Sequence, residues 1–298
     1  MVYLVQQLLN ALPLASLYAC LAFGYSLAFG VTRRPDITFG AFVAFAGQIC
    51  LLFTDYGWNR LYLVLPAALG LGLFAGTGYT LVAGFWNART VMLPLHKPSP
   101  NAVIAAALGV LLLLSEGARI ALDTRSLWLP PMGEQFVPLF VIEATPIGLT
   151  RLQILHVGLM LALVAGCHWL LSVSRAGRLW QAVCQDPLAA RLVGIDADCV
   201  FVATLVAATA FAAFGGLSAT VVYGTMDFGA GLMFGLKVVL IAAVGGHSRP
   251  LHSALGAAAV GFGEQLWSAY GAMIWRDVVI ISALVWVLVI SRRERIIP

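Results

Sequence analysis

The sequence contains few charged residues and no cysteine motif. Only 10% of its 298 residues are charged, whereas soluble globular domains carry about 25%. So few charges cannot cover the surface of a soluble chain of this length, which excludes a soluble enzyme or binding module. The five cysteines are dispersed, form no CxxC pair and join no Cys/His cluster. This pattern argues against a disulfide framework and against a metal site.

The sequence also lacks the motifs of ATP-hydrolysing and hydrolytic enzymes. It has no GxxxxGK(S/T) motif, so any ATP hydrolysis would come from another chain. Neither HExxH nor GxSxG occurs. The net charge of +4 is too small and too scattered to suggest nucleic acid as a partner. Because the first charged residue is Arg33, we expect no cleaved signal peptide and a first apolar segment that remains as a membrane span.

Apolar residues are abundant instead. The chain is 61% hydrophobic, with a mean hydropathy of +0.94. A transmembrane helix needs about 20 apolar residues, and the charge-poor windows predict an all-α polytopic membrane protein with eight or nine such helices in one domain, residues 1–298. We expect the second, seventh and ninth helices to be short and one of them to be broken or re-entrant. The predicted spans are 4–30, 37–54, 61–86, 101–121, 152–173, 199–222, 231–246, 253–271 and 277–291.

Lysine and arginine are unevenly distributed among the predicted connections. If the basic segment 292–295 is cytoplasmic and every span crosses, the inner connections hold eleven Lys and Arg residues and the outer ones hold five. Cytoplasmic loops are rich in these residues. The bias therefore predicts an outer N-terminus and a cytoplasmic C-terminus.

Two predicted connections are long. The outer one covers 122–150, and the inner one covers 174–198. The inner loop predicts two short amphipathic helices interrupted near Pro187, with Leu188, Leu192, Val193 and Ile195 as apolar anchors. Its size makes it the natural docking surface for a partner.

The segments that follow Gly30 and Gly246 resemble each other. Glycines recur at spacings of ten and then seven in both, and each segment contains an Arg-Pro pair, one residue out of register. One interpretation is an internal parallel repeat, as in transporters that bind their substrate where two halves meet. The other is coincidence in a chain with 30 glycines. Glycines within apolar spans favour close helix packing over phosphate binding.

Lys237 and Glu264 lie inside predicted spans. An isolated charge at mid-bilayer costs about 2.5–3.5 kcal/mol, so each needs a partner or water. If their spans form an antiparallel hairpin, a rise of about 1.5 Å per residue places the two within about 5 Å in depth. We therefore hypothesise that they pair or face one cavity. In the alternative, Lys237 extends to the interface and Glu264 caps a helix.

Motifs occur in order along nearly the whole chain: residues 22–30, 37–47, 175–178 and 186–195, then a closing stretch with Gly235, Lys237, Gly245, Gly246, Gly256, Glu264 and Asp277. Together they resemble the permease subunits of bacterial branched-chain amino-acid ABC importers, the LIV-H type. The inner loop is similar to the EAAxxxG coupling motif of such permeases, with Leu188 where Glu would stand.

The resemblance implies a bacterial inner-membrane protein that works with several partners. These are a second related permease, two cytoplasmic ATPase subunits and a periplasmic substrate-binding protein. The chain itself would bind no cofactor, and ATP and Mg would be held by the ATPase subunits. The resemblance assigns the ATPase-coupling role to Arg175, Gly177, Arg178, Asp186, Ala189, Ala190, Leu192, Gly194 and Ile195.

The second segment departs from the family, because Asp36-Ile-Thr-Phe-Gly40 replaces the usual Asn-x-Ala-His-Gly. Phe39 stands where the family has a polar ring. The solute could therefore be a branched-chain amino acid, another amino acid, an amide or urea. The candidate pathway residues are Tyr25, Asp36, Thr38, Phe39, Gly40, Lys237 and Glu264.

Two other function classes remain as alternatives. A stand-alone ion-coupled secondary transporter or channel would use Glu264 and Lys237, with Asp227 as a further candidate, as coupling groups and would not need the 174–198 loop. An intramembrane enzyme would act on a lipid or peptide without partners. Nothing in the sequence organises these charges into a catalytic set.

Overall fold

The computed structural model describes residues 2–96, 100–130, 132–133, 135–142, 145–246 and 249–291. Lys97 and the basic residues Arg292, Arg293 and Arg295, which contributed to the predicted orientation, lie outside the described residues.

The helices follow the predicted spans closely. Each apolar window becomes one helix whose ends lie within a few residues of the predicted limits. The helices are α1 (Val2–Thr32), α2 (Thr38–Asn59), α3 (Leu65–Trp86), α4 (Leu93–His96), α5 (Pro100–Ala121), α6 (Arg151–Val173), α7 (Arg175–Gln185), α8 (Pro187–Leu192), α9 (Ala197–Tyr223), α10 (Ala230–Val244), α11 (Pro250–Tyr270) and α12 (Arg276–Ser291).

Seven helices within the described residues are long and apolar enough to cross a membrane. This is fewer than the predicted eight or nine, for two reasons. Helix α10 has 15 residues, a length of about 22 Å against a hydrocarbon core of about 30 Å. Helix α11 has 21 residues but is less apolar than the seven, since it carries His252 and Glu264. The second predicted segment is not short, because α2 extends to 22 residues.

Helix α3 does not end at Trp86. The chain continues through a π-helical segment, Asn87–Met92, into α4. A π-helical turn adds a residue to the helical repeat, and such turns are frequent at functional sites. Here the segment turns Asn87 and Ala88 into the protein core, where both are buried.

The long connection 122–150 contains a β-hairpin that the all-α prediction did not include. Strand β1 (Phe136–Ile142) pairs with β2 (Thr145–Thr150) in antiparallel register, with Phe136 opposite Thr150. Thr150 then caps α6 together with Gln153 in a reciprocal capping box. The Gln6 side chain bonds both backbone groups of Gly148, at 2.9 and 3.2 Å. The N-terminal end of α1 and the hairpin therefore lie on the same side of the molecule.

Helix α1 is the central helix, in contact with α6, α9, α10 and α11. Glycines permit its close packing. A Cβ on Gly24 would lie 2.3 Å from Phe211 Cβ, and one on Gly261 would lie 2.6 Å from Ala15 Cα. These contacts support the packing interpretation of the Gly-rich spans.

Candidate functional site

The 174–198 loop forms the two short helices that the sequence predicts, α7 and α8. The Ser174 hydroxyl accepts a hydrogen bond from Gly177 N at 3.1 Å and caps α7. The Asp186 carboxylate accepts from Leu188 N at 2.8 Å and Ala189 N at 3.1 Å and caps α8. Pro187, the first residue of α8, fits a position whose N–H needs no helical partner. The predicted break near Pro187 is thus confirmed.

Helix α7 is fixed to the C-terminal end of α1. The buried Trp180 indole donates to Leu27 O at 3.3 Å, and a Cβ on Gly30 would lie 2.8 Å from the Trp180 ring. The Arg33 guanidinium donates to the carbonyls of Cys184 and Gln185 at 2.7 and 2.8 Å. Movement of α7 would therefore be transmitted directly to α1.

The far end of the loop is solvent-exposed. Leu188, Leu192 and Val193 are 71%, 89% and 77% exposed, so they do not anchor the loop to its own chain. Among the four predicted anchors, only Ile195 packs against the core. Gly194 has φ of +85°, a left-handed conformation that glycine adopts without strain.

The remaining predicted coupling residues have local roles. Gly177 lies against the backbone of Leu171, where a Cβ would come within 1.9 Å of the carbonyl oxygen. Ala190 is buried. Arg175 is exposed, and Arg178 Nη1 donates to Val173 O at 3.1 Å. Docking of an ATPase on these residues stays a prediction.

The neighbouring ends of α6, α7 and α11 line an open cavity. It measures ≈ 480 Å³ and includes His168 of α6, Trp180 and Cys184 of α7, and His252 of α11 in its lining. Arg249 also lines it. The turns after α1 and after α10 therefore both lie on the side of the molecule that carries α7.

An ion cluster joins α1, α10, α11 and α12, with Lys237 and Glu264 buried and Arg276 and Asp277 partly exposed. Lys237 Nζ lies 3.0 Å from Glu264 Oε1 and 2.9 Å from Asp277 Oδ1. The Tyr18 hydroxyl donates to Glu264 Oε2 at 2.8 Å, and Arg276 Nε lies 3.6 Å from the same carboxylate. Two cations thus balance two anions, and Glu264 is only 3% exposed.

The structure brings Lys237 and Glu264 together, as the hairpin register predicts. Tyr18, Arg276 and Asp277 were not predicted as members of the cluster. The adjacent opposite charges at 276–277, at the start of an apolar segment, could have indicated that these two residues belong to an ion cluster. The Tyr18 contact depends on the packing of α1 against α11 and has no sequence signal.

Four other predicted pathway residues meet at the α1–α2 connection. Asp36 Oδ1 accepts from Thr38 N at 2.9 Å and from Thr38 Oγ1 at 2.6 Å. The rings of Tyr25 and Phe39 are 5.9 Å apart, edge to face. All four residues are buried. Burial raises the pKa of Asp36, and the two Thr38 hydrogen bonds oppose that rise.

Gly40 begins the contact between α2 and α10. A Cβ there would lie 2.0 Å from Gly235 N and 2.4 Å from Gly231 O. The two helices therefore approach each other backbone to backbone. A role in a solute pathway stays a prediction for all seven pathway candidates.

A bundle of apolar helices that carries two short helices fixed to its central helix, with an exposed apolar tip, is typical of a polytopic membrane transport protein. The chain belongs to the family described as branched-chain amino acid transport system, permease component, which matches residues 7–289. This confirms the resemblance drawn from the sequence motifs.

Individual relatives agree. The chain is 26% identical over 298 residues to the high-affinity branched-chain amino acid transport system permease protein LivH of Escherichia coli K12, with 97% of this chain and 94% of that protein covered. It is 24% identical over 292 residues to the corresponding permease protein BraD of Pseudomonas aeruginosa PAO1, with 95% and 92% covered. Among solved structures it is similar to PsaBC from Streptococcus pneumoniae in complex with Fab, with 12% identity, 96% and 90% coverage and a TM-score of 0.46.

Proposed function

We propose that the chain is the transmembrane permease subunit of an ABC importer that moves a small polar solute into the cell. The observation that carries this proposal is the α7–α8 unit. It is fixed to α1 through Trp180 and Arg33 and presents Leu188, Leu192 and Val193 to solvent. An ATPase that held this tip would move α7 and α1 as a rigid body. A secondary transporter has no use for such a unit, and membership of a permease-component family does not favour that alternative.

The importer that we propose contains a second related permease, two cytoplasmic ATPase subunits and a periplasmic substrate-binding protein. ATP and Mg would be bound by the ATPases and not by this chain, which therefore has no enzymatic activity of its own. The exposed apolar surface of α12, which includes Trp286, Val289 and Ile290, supports a membrane or permease contact there.

The solute is proposed from the relatives. LivH and BraD are named as branched-chain amino acid permeases, so a branched-chain amino acid is the first candidate. Another amino acid, an amide or urea is the second, because Asp36 and Phe39 depart from the family motif.

We place the chain in a bacterial inner membrane, with the N-terminus outside and the C-terminus in the cytoplasm. The hairpin would then be outside and α7–α8 inside. The number of complete crossings and the internal repeat belong to the same proposal. Against a close repeat, Gly47 packs on Thr220 whereas its counterpart Gly263 has open space around it.

The proposal is tested by purification through an N-terminal tag in mild detergent, followed by reconstitution with the proteins that copurify. We expect a Walker-motif ATPase and a second polytopic chain, and uptake into liposomes that requires ATP and the binding protein. Uptake by this chain alone, driven by an ion gradient without ATP, would show the importer assignment to be wrong.

A further inference from the structure

A small, partly open cavity lies between the α1–α2 connection, the π-helical segment and α9. Its volume is ≈ 10 Å³, about the space of a single water-sized occupant. Four oxygen-bearing side chains line it: Asp36, Thr38, Asn87 and Thr209. The rest of the lining is apolar, so any charged occupant would be held by these four residues.

Asp36 brings an unbalanced negative charge to this cavity. It is 9% exposed, and both of its hydrogen bonds, from Thr38, go to Oδ1. Within the described residues no cationic side chain lies within ion-pair distance of its carboxylate. An isolated buried carboxylate is costly unless a cation or further donors compensate its charge.

Asn87 brings an oxygen without a hydrogen-bond partner. The residue is 4% exposed, and its buried Oδ1 has no donor within the described residues. Buried polar atoms are nearly always satisfied, so an orphaned oxygen calls for an unseen ligand. The π-helical segment is what turns this side chain into the core.

The two threonines complete an all-oxygen lining. Thr38 Oγ1 donates to Asp36 Oδ1, and Thr209 Oγ1 donates to Leu205 O at 2.9 Å. A hydroxyl that donates its only hydrogen keeps lone pairs for a cation. Carboxylate, amide and hydroxyl oxygens are the ligands that hard cations prefer.

We propose that this cavity binds one Na⁺ ion, held by Asp36, Thr38, Asn87 and Thr209. One carboxylate among neutral oxygens carries a single negative charge, which a monovalent cation balances and a divalent one exceeds. The bound ion fixes the α1–α2 connection to the π-helical segment and to α9. It is a separate property from ATP-driven uptake, so either proposal can fail without the other.

The test is direct binding of radioactive ²²Na⁺ to the detergent-purified full chain with whatever subunits copurify, in choline chloride at neutral pH. We expect saturable binding of one ion per chain, displaced by unlabelled NaCl. The Asp36→Asn variant should lose this binding. The matched control is Asp123→Asn, because Asp123 has an 81% exposed side chain in the 122–150 connection, far along the chain from the cavity, and pairs with Arg125.

A second variant covers the case in which Asp36→Asn fails to fold, as judged by its elution profile and Tm. Thr209→Val keeps the side-chain shape and removes one oxygen ligand. We expect about a tenfold weaker Na⁺ affinity from the loss of one such contact.

Two results would overturn the proposal. One is a wild-type chain without saturable ²²Na⁺ binding, as a trapped water or a protonated Asp36 would give. The other is unchanged affinity in the folded Asp36→Asn or Thr209→Val variant.

Discussion

Glu264 is a carboxylate in the interior of a membrane protein, and its neighbours explain how it is tolerated. Lys237 lies 3.0 Å from Oε1, the Tyr18 hydroxyl donates to Oε2 at 2.8 Å, and Arg276 lies 3.6 Å away. Burying an ion pair gains little net free energy, but removing one partner leaves an uncompensated charge. We infer that the cluster specifies how α10 packs against α11 and α12.

We predict that Lys237→Met destabilises the protein strongly. Removal of the Lys237 ammonium leaves Glu264 and Asp277 to share the more distant Arg276, which lies 3.6 Å from each carboxylate. Breaking a buried pair from one side costs about 3–5 kcal/mol. The measurement is the Tm of the detergent-purified chain, which should fall clearly below that of the wild type.

The control for Lys237→Met is the double variant Lys237→Met/Glu264→Gln. The neutral amide side chain introduced by the second substitution needs no counter-charge and can still bond Tyr18, so we expect the Tm to recover in part. The single variant Glu264→Gln completes the double-mutant cycle, and changes in stability that simply add would mean that the two groups are not energetically coupled.

At the scale of elements, α7 attaches the α7–α8 unit to α1, whereas the exposed tip of the unit is available to a partner. Leu192 is 89% exposed, so replacing it does not disturb the core. We predict that Leu192→Asp inserts normally but lowers ATP-dependent uptake more than about tenfold, the effect of losing a central apolar contact at an interface. Uptake in liposomes and the amount of copurified ATPase are the measurements.

Leu192→Met is the matched control for Leu192→Asp, since it conserves volume and apolar character, and it should transport normally. Gly194→Pro should also abolish uptake, because proline cannot adopt the φ of +85° found at this turn. Normal uptake in both Leu192→Asp and Gly194→Pro would contradict ATPase docking here.

The contact between α2 and α10 gives a second prediction at this scale. A Cβ on Gly40 would lie 2.0 Å from Gly235 N, so Gly40→Ala forces two backbones apart. We expect a loss of about 1–3 kcal/mol, as for overpacked cores, seen as a lower Tm. Gly70→Ala is the control, because no atom lies within 4 Å of a Cβ there. A Tm for Gly40→Ala equal to that of the control would contradict the close approach.

The sequence predicted those elements that depend on features of a short stretch of chain. Long apolar windows set the spans, Pro187 set the break between α7 and α8, and the depth of Lys237 and Glu264 followed from helical rise. The π-helical segment was not predicted, because nothing distinguishes 87–92 from an ordinary helix end. Asn87 and Thr209 reach one cavity only through the packing of α9 on α3, which no local pattern encodes.

At the scale of the whole molecule, α1 sets the sidedness of the fold. Its first turns contact the hairpin through Gln6 and Gly148, and its C-terminal end contacts α7 through Arg33 and Cys184. If α7–α8 meets cytoplasmic ATPases, the hairpin faces outward. The side of the membrane on which α7–α8 lies therefore determines the orientation of the whole chain.

Chemical labelling of Cys199 can show on which side of the membrane α7–α8 lies. Cys199 is exposed at the start of α9, next to the α7–α8 unit, whereas the other four cysteines are buried or half-buried. Burial also raises the pKa of Cys184 to about 12, so its thiol stays protonated and unreactive.

We predict that a membrane-impermeant maleimide labels the chain in inverted membrane vesicles and not in intact cells, and that Cys199→Ser removes the labelling. Labelling of Cys199 in intact cells would place α7–α8 outside, where no ATPase can reach it, and would reverse both the orientation and the coupling assignment.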